Sequence, residues 1–250
     1  MNTPERWLLQ EKYGGQPSDA FYADCTRLRA GEPLAYLIGH TPFLDCTIDL
    51  SSRPLIPRPE TEYWVEHCIR SIQSNPLPTR AVLDLCAGSG CIGIAIAKAT
   101  PTARVTYAEL EPTHLPTITA NLRHNLPVPT YDAQNYTVVA SDLFSAISGS
   151  FDLIVSNPPY IDPAVDRADR SVTDFEPHLA LYGGHHGVAI IHRIIATAPS
   201  FLTPSGTLWL EHEPEQTETI HARAQAHGFH ATTHTDQYAV SRYTILTMAQ

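Results

Sequence analysis

The sequence predicts an α/β protein with a mainly parallel sheet covered by helices on both faces. Three observations predict it. From residue 80 onward, short apolar runs alternate with segments of helical periodicity. Those runs are continuous rather than alternating, as in strands buried on both sides. The first of them feeds a glycine-rich turn that opens an apolar helix.

The elements follow in order. Residues 4–30 hold two helical stretches broken by Gly14, Gly15 and Pro17. Gly14-Gly15-Gln16 reads as the turn between them. Residues 43–57 carry short apolar stretches (Phe43, Leu44, Ile48, Leu50, Leu55, Ile56) split by Ser51, Ser52 and Pro54, which reads as a β-hairpin or an extended linker. Residues 61–72 predict a helix with Val65, Cys68, Ile69 and Ile72 on one face. It ends near Asn75-Pro76-Leu77-Pro78. Strands are predicted at 81–85, 105–109, 136–140, 151–156, 207–211, 229–234 and 241–248, and helices at 91–99, 113–124, 188–198 and 215–226. The result is a seven-stranded Rossmann-like domain over 59–250. A β-hairpin linker (43–58) and a short N-terminal helical segment (1–42) precede it.

Composition narrows the function. The chain has 250 residues, 43% of them apolar, enough for one α/β domain and a small appendage. The net charge of -10 argues against direct nucleic-acid binding, which draws its affinity from Lys and Arg on phosphates. It suits a protein substrate with basic patches. Five cysteines with no CxxC pair imply reduced thiols. The N-terminus lacks a signal-like apolar core, and the longest apolar run, 91–97, is too short for a membrane span. A cytoplasmic, membrane-free monomer is the expectation.

The turn Asp84-Leu85-Cys86-Ala87-Gly88-Ser89-Gly90 would bring backbone close to a ligand at the carboxyl edge of the sheet. Such a turn serves nicotinamide dinucleotides and S-adenosylmethionine alike, or simply links strand to helix. Cys86 and Ala87 occupy places where a dinucleotide fold usually has glycine. The chain beyond is also too short for a separate hydride-acceptor domain. Glu109 ends the second strand, where a carboxylate can accept from two ribose hydroxyls; Glu111 is a close competitor. Asp142, with Leu143 beside it, would face the adenine or cap a helix.

Ser156-Asn157-Pro158-Pro159-Tyr160 follows the strand 151–156. Two prolines stiffen the loop. It can hold the Asn157 side-chain carbonyl and the Pro158 backbone carbonyl as a pair of acceptors, with Pro159 behind them and Tyr160 as a flat wall. An amide nitrogen is a poor nucleophile, and two acceptors on its N–H bonds fix it and favour the charge that grows during alkylation. The bland alternative is a rigid loop. Arg58 and Glu60 would orient a substrate loop or cap the helix that follows, a role Thr61 and Glu62 also fit. The thirteen histidines show no ligand spacing, and His185-His186 reads as part of a surface loop, so no metal is expected.

From residue 27 to the C-terminus the chain resembles the HemK/PrmC family of release factor glutamine methyltransferases. The resemblance rests on 27–39 (RLRAGEPLAYLIG), 57–62 (PRPETE), the turn Asp84 to Gly90, Glu109, Asp142, Asn157 to Tyr160, Phe175-Glu176-Pro177, Leu210-Glu211-His212 and Gln216. Asn157-Pro158-Pro159-Tyr160 alone is shared with adenine and cytosine amino-methyltransferases; its combination with the other segments is more specific. The resemblance implies a class I fold, S-adenosylmethionine bound by Asp84, Cys86, Ala87, Gly88, Ser89, Gly90, Glu109, Asp142, Leu143 and Asn157, and methylation of the glutamine in the Gly-Gly-Gln loop of class 1 release factors. The runner-up is a nucleic-acid adenine amino-methyltransferase. Two departures stand out. The N-terminal helical segment is shorter than the family's, and Glu213 stands where members often carry glycine.

Overall fold

The computed structural model describes residues 1–77, 80–126, 133–165 and 169–249; Pro78 of the expected boundary lies outside them. Helices α1 (Thr3–Tyr13) and α2 (Asp19–Arg29) fill the N-terminal segment. Asn2 and Glu5 form a reciprocal capping box at the start of α1, and Gly14 closes it in the left-handed conformation. A third helix, α3 (Leu34–Ile38), packs Leu37 with Leu8, Phe21 and Cys25 into a small core of its own. That helix escaped the sequence reading because its five residues are too few to display a period.

The hairpin pairs β1 (His40–Phe43) with β2 (Cys46–Asp49). It begins earlier than expected. Pro42 and the polar pair before it do not read as strand, yet a two-stranded edge tolerates them. Residues 50–58 form no strand: Ser51 and Ser52 make a turn closed by the Arg53 N–H on the Leu50 carbonyl, and irregular chain follows.

Helix α4 (Pro59–Ser74) leads into the main sheet of β3 (Ala81–Leu85), β4 (Arg104–Glu109), β5 (Tyr136–Ala140), β6 (Phe151–Ser156), β7 (Leu202–Glu211), β8 (Phe229–Thr235) and β9 (Ser241–Met248). Its order is β5-β4-β3-β6-β7-β9-β8. All pairs are parallel except those of β9, which runs antiparallel to β7 and β8. Helices α5 (Cys91–Ala99) and α6 (Leu115–Asn125) pack with α4 on one face. Helices α9 (Ala189–Thr197) and α10 (Thr217–Ala226) cover the other, giving two cores that the sheet separates. The short helices α7 (Arg170–Thr173) and α8 (His178–Leu181) lie between β6 and α9. The seven-stranded α/β fold read from the sequence is the one observed. Among the described residues no helix is long and apolar enough to cross a membrane.

The hairpin is tied down by α6. Asn121 and Asn125 each bond both backbone groups of a β2 residue, Asp49 and Thr47 respectively, at 2.7–3.1 Å. The spacing works because four residues of helix rise about 6 Å and two residues of strand about 6.6 Å.

The chain leaves β3 toward β4 on one side, while β6 lies on the other. That reversal opens a crevice at the carboxyl ends of β3 and β6, where open α/β sheets place their ligands.

Candidate active site

Two hollows border the loop after β6. The larger, about 880 Å³, is lined by Tyr160, Asp162, His185, His186 and Glu213. The smaller, about 160 Å³, sits at the switch point. Chemistry selects the smaller one. Cys86, Gly88, Glu109, Asp142, Leu143, Asn157 and Pro159 all line it, although they come from four separate stretches of chain. Its remaining wall is largely apolar, with Leu55, Pro177, Leu179 and Ile190.

The turn after β3 is built by three positive-φ residues, Cys86, Gly88 and Gly90. A Cβ on Gly88 would meet no atom within 4 Å, so its left-handed backbone and the open space beside it leave room for a ligand. A Cβ on Gly90 would lie 3.0 Å from Ile118, so that glycine serves packing. Asp84 does not line the hollow. It is fully buried and its Oδ2 accepts from the Gly93 N–H at 2.9 Å. Burial pushes its carboxyl up to about 8, against the pull of that bond. Asp84 therefore pins the first turn of α5 from beneath. Ala87 and Ser89 likewise shape the turn: Ala87 continues the ladder to Ala108, and the Ser89 carbonyl accepts from Asn121.

Glu109 is buried at the end of β4, and its two oxygens accept from the N–H groups of Gly88 (2.7 Å) and Glu111 (2.8 Å). A carboxylate offers about four acceptor sites, so two remain for hydroxyl donors on the hollow side. Glu111 lines the same hollow, and its Oε1 accepts from the N–H and hydroxyl of Thr113, capping the following turn. Asp142 sits on the rim in a half-exposed ion pair with Arg193 at 2.9 Å. The helix-capping alternative for Asp142 finds no helix there: residues 143–146 form a turn, in which Ser141 Oγ accepts from the Ala146 N–H. His114, which the sequence reading did not single out, also lines the hollow. It is bonded to Ser52, and burial lowers its pKa.

The loop after β6 is held from several sides. Ser156 Oγ donates to the Leu85 carbonyl at 2.9 Å, locking β6 to β3 where the loop begins. Pro158 is buried. Asn157 Nδ2 donates to Thr61 Oγ1 at 3.1 Å, and Thr61 donates to Glu211 Oε2 at 2.7 Å. Trp64 Nε1 and the Tyr160 hydroxyl donate to the same carboxylate at 2.6 and 3.0 Å. Thr61 and Trp64 reach one oxygen because an i, i+3 spacing puts them on one face of α4. Glu211 is 1% exposed, and burial raises its pKa. Tyr160 thus turns its hydroxyl to Glu211 and lines the larger hollow rather than the smaller.

Three expectations change here. Thr61 and Glu62 do not cap α4: Thr61 serves Glu211, and Glu62 accepts from the Leu44 N–H at 2.7 Å. Arg58 is engaged by Glu176, a buried acid that also accepts from the Ile56 N–H at 2.9 Å. That pair straps 56–58 to the wall containing Pro177, while Glu60 lines neither hollow. The glycine-rich stretch 183–187 is more than a surface loop. His185 and His186 are exposed, but Gly183 and Gly187 are buried against the carbonyls of Pro159 and Tyr160. Among the described residues, no three His, Cys, Asp or Glu side chains are placed to hold a metal ion.

Comparison with known proteins places the chain in a family. The profile of the methyltransferase small domain family matches residues 66–175. A release factor glutamine methyltransferase of Bifidobacterium longum is 36% identical over 233 residues, spanning 90% of this chain and 79% of that protein. The chain belongs to the release factor glutamine methyltransferase family. A second member, from Salmonella typhimurium, is 37% identical over 204 residues, spanning 81% of this chain and 70% of its own. More distant solved structures share the fold. A methyltransferase from Pyrococcus furiosus superposes with a TM-score of 0.60 at 16% identity, over 91% of this chain and 99% of that one. The catalytic domain of hMettl16 gives 0.61 at 14%, over 82% and 76%. In this family member, Gly88, Glu109 and Asn157 share the switch-point hollow.

Proposed function

We propose that the chain transfers a methyl group from S-adenosylmethionine to the side-chain amide nitrogen of the glutamine in the Gly-Gly-Gln motif of peptide chain release factors. One observation carries the reading: Asn157 and Glu109, from different strands, line one hollow beside the open backbone of Gly88. Family membership points the same way, since the relatives are named for that reaction.

The residues fit the cofactor. Gly88 leaves room for close approach, Glu109 keeps two acceptor sites for ribose hydroxyls, and Leu143 with its apolar neighbours suits a flat ring. When bound, S-adenosylmethionine supplies an electrophilic methyl on a sulfonium. Asn157 Oδ1 and the Pro158 carbonyl would accept the two N–H bonds of the substrate amide and hold its nitrogen about 3 Å from that methyl. As the nitrogen becomes positive, both oxygens stabilise it without rearranging, because Pro158 and Pro159 keep the loop stiff. The alkylated nitrogen is acidic enough to release its proton to water. Pro159 backs the substrate, Tyr160 steadies the loop through its bond to Glu211, and Arg58, through Glu176, fixes the wall beside it. The N-terminal segment 1–42 would add a docking surface, and a cytoplasmic site of action fits the substrate.

Glu109→Ala should weaken S-adenosylmethionine binding by about 10–100-fold, the weight of hydrogen bonds to a charged acceptor. Calorimetric titration checks this, and a dissociation constant equal to wild type removes Glu109 from the cofactor site. Substrate identity is tested by tritiated methyl transfer to a purified release factor, its Gln→Ala loop variant, and DNA and RNA. Label should enter the first alone. Label in nucleic acid would establish an adenine amino-methyltransferase instead.

A further inference from the structure

A primary carboxamide has two nearly isosteric ends, one accepting and one donating. An asparagine that must accept from its substrate therefore needs something to decide which end faces outward. In this chain the deciding contacts converge from α4 and β7. Glu211 Oε2 receives Trp64 Nε1 and Thr61 Oγ1 at 2.6 and 2.7 Å. With Glu211 ionised, Oε2 can only accept, from the indole N–H and from the Thr61 hydroxyl alike. The single hydroxyl proton of Thr61 is thereby committed to Glu211. What remains on Thr61 is lone pairs, and only a donor can meet them. The Asn157 atom at 3.1 Å must be Nδ2, which leaves Oδ1 for the hollow.

We infer that Glu211, acting through Thr61, fixes the orientation of the Asn157 carboxamide and so makes the site select an NH₂-bearing group over a carboxylate of the same shape. Glu211 and Thr61 are positioning residues. The inference rests on the proposed reading that Asn157 grips the substrate amide. Were the carboxamide reversed, Oδ1 would face the Thr61 lone pairs and two N–H groups would face the substrate. Glutamine would then meet donors with donors, and glutamate would be welcomed. Sequence separation hides the relay: Thr61, Asn157 and Glu211 lie on three distant segments, and each alone reads as a polar residue at the end of an element.

The test uses the full chain with a Gly-Gly-Gln loop peptide and its Gly-Gly-Glu counterpart as competitor. Thr61→Val keeps the shape of the side chain and removes the relay. It should lower kcat/KM about 10–100-fold, shift the Glu-to-Gln affinity ratio at least about 10-fold toward Glu, and leave S-adenosylmethionine affinity unchanged. Thr61→Ser, which restores the hydroxyl, should recover most of the loss. A purely structural role for Thr61 would move stability but not the Glu-to-Gln ratio. Thr61→Val with wild-type discrimination and rate overturns the inference. In wild-type protein, NMR provides an independent check. At least one Asn157 side-chain NH₂ proton, assigned by its absence from Asn157→Ala, should exchange slowly with solvent and stay unshifted when the peptide binds. Fast exchange, or a shift on peptide addition, overturns it too. If wild type methylates no glutamine peptide, the proposed function fails, and the NMR result still decides the orientation.

Discussion

Asn157→Ala should lower kcat by about 10²–10³, the usual consequence of deleting one preorganised charge-stabilising partner, while S-adenosylmethionine affinity stays within several-fold. The separation of effects follows from position. Asn157 follows the carboxyl end of β6, whereas the carboxylate of Glu109 ends β4, with β3 between them. Deleting one leaves the other's surroundings intact. The loss falls on kcat because the amide nitrogen is nearly neutral in the ground state and positive in the transition state, so the missing oxygen is missed most during reaction. Stability should change little. The Thr61 lone pairs lose their donor, but Asn157 is only partly buried and water can reach its place. Steady-state kinetics with calorimetry on the same preparation measures both quantities. A near-native rate would show that the acceptor pair does not drive the reaction.

The sequence read well where local pattern was sufficient. Strands β3, β5 and β6 and helix α5 were located to the residue. Continuous apolar runs bounded by polar or glycine residues leave little freedom. Strand β7 began earlier than its apolar run, since Thr203-Pro204-Ser205-Gly206 carries no strand signal yet joins the sheet next to a register shift opposite Phe151. In the site, Gly88, Glu109 and Asn157 were legible because each closes or follows a strand. The partners that hold them were not. Glu211 is a strand-ending acid like Glu109, but its donors come from α4. The Arg58–Glu176 pair spans more than half of the main domain in sequence. No periodicity encodes such pairs. A buried acid at the end of an apolar strand was the available signal, and it marks Glu211 as well as Glu109. His212, adjacent to Glu211, is fully buried between Thr244 and the Glu213 carbonyl, with its pKa pushed down to about 4 by burial. It is a neutral structural imidazole, and its place directly after the apolar strand 207–211 is what sets it apart in the sequence from the exposed His185 and His186.

Gly187→Ala should cripple the enzyme although residue 187 lines neither hollow. Gly187 has φ +68, and a Cβ there would overlap the Tyr160 carbonyl oxygen and lie 2.5 Å from Gln216 Nε2. Those two atoms are hydrogen-bonded to each other at 2.7 Å, so the new methyl would wedge into that bond. None of the neighbours can retreat cheaply. The oxygen is backbone, it follows two prolines with fixed φ, and Gly183 presses on the Pro159 carbonyl from the same side. Left-handed strain contributes about 1 kcal/mol and the broken buried bond about 1–3 kcal/mol. Any relief by moving the loop displaces Asn157, and about 1 Å of misplacement costs about 10²-fold in rate. Gly149→Ala provides the control. Gly149 has φ +89 but nothing within 4 Å of its would-be Cβ. That variant pays the strain alone and should keep wild-type kcat. Thermal melts and kinetics of the two variants separate contact from conformation. If Gly187→Ala matches Gly149→Ala in both, the glycine stretch is not what holds the double-proline loop in place.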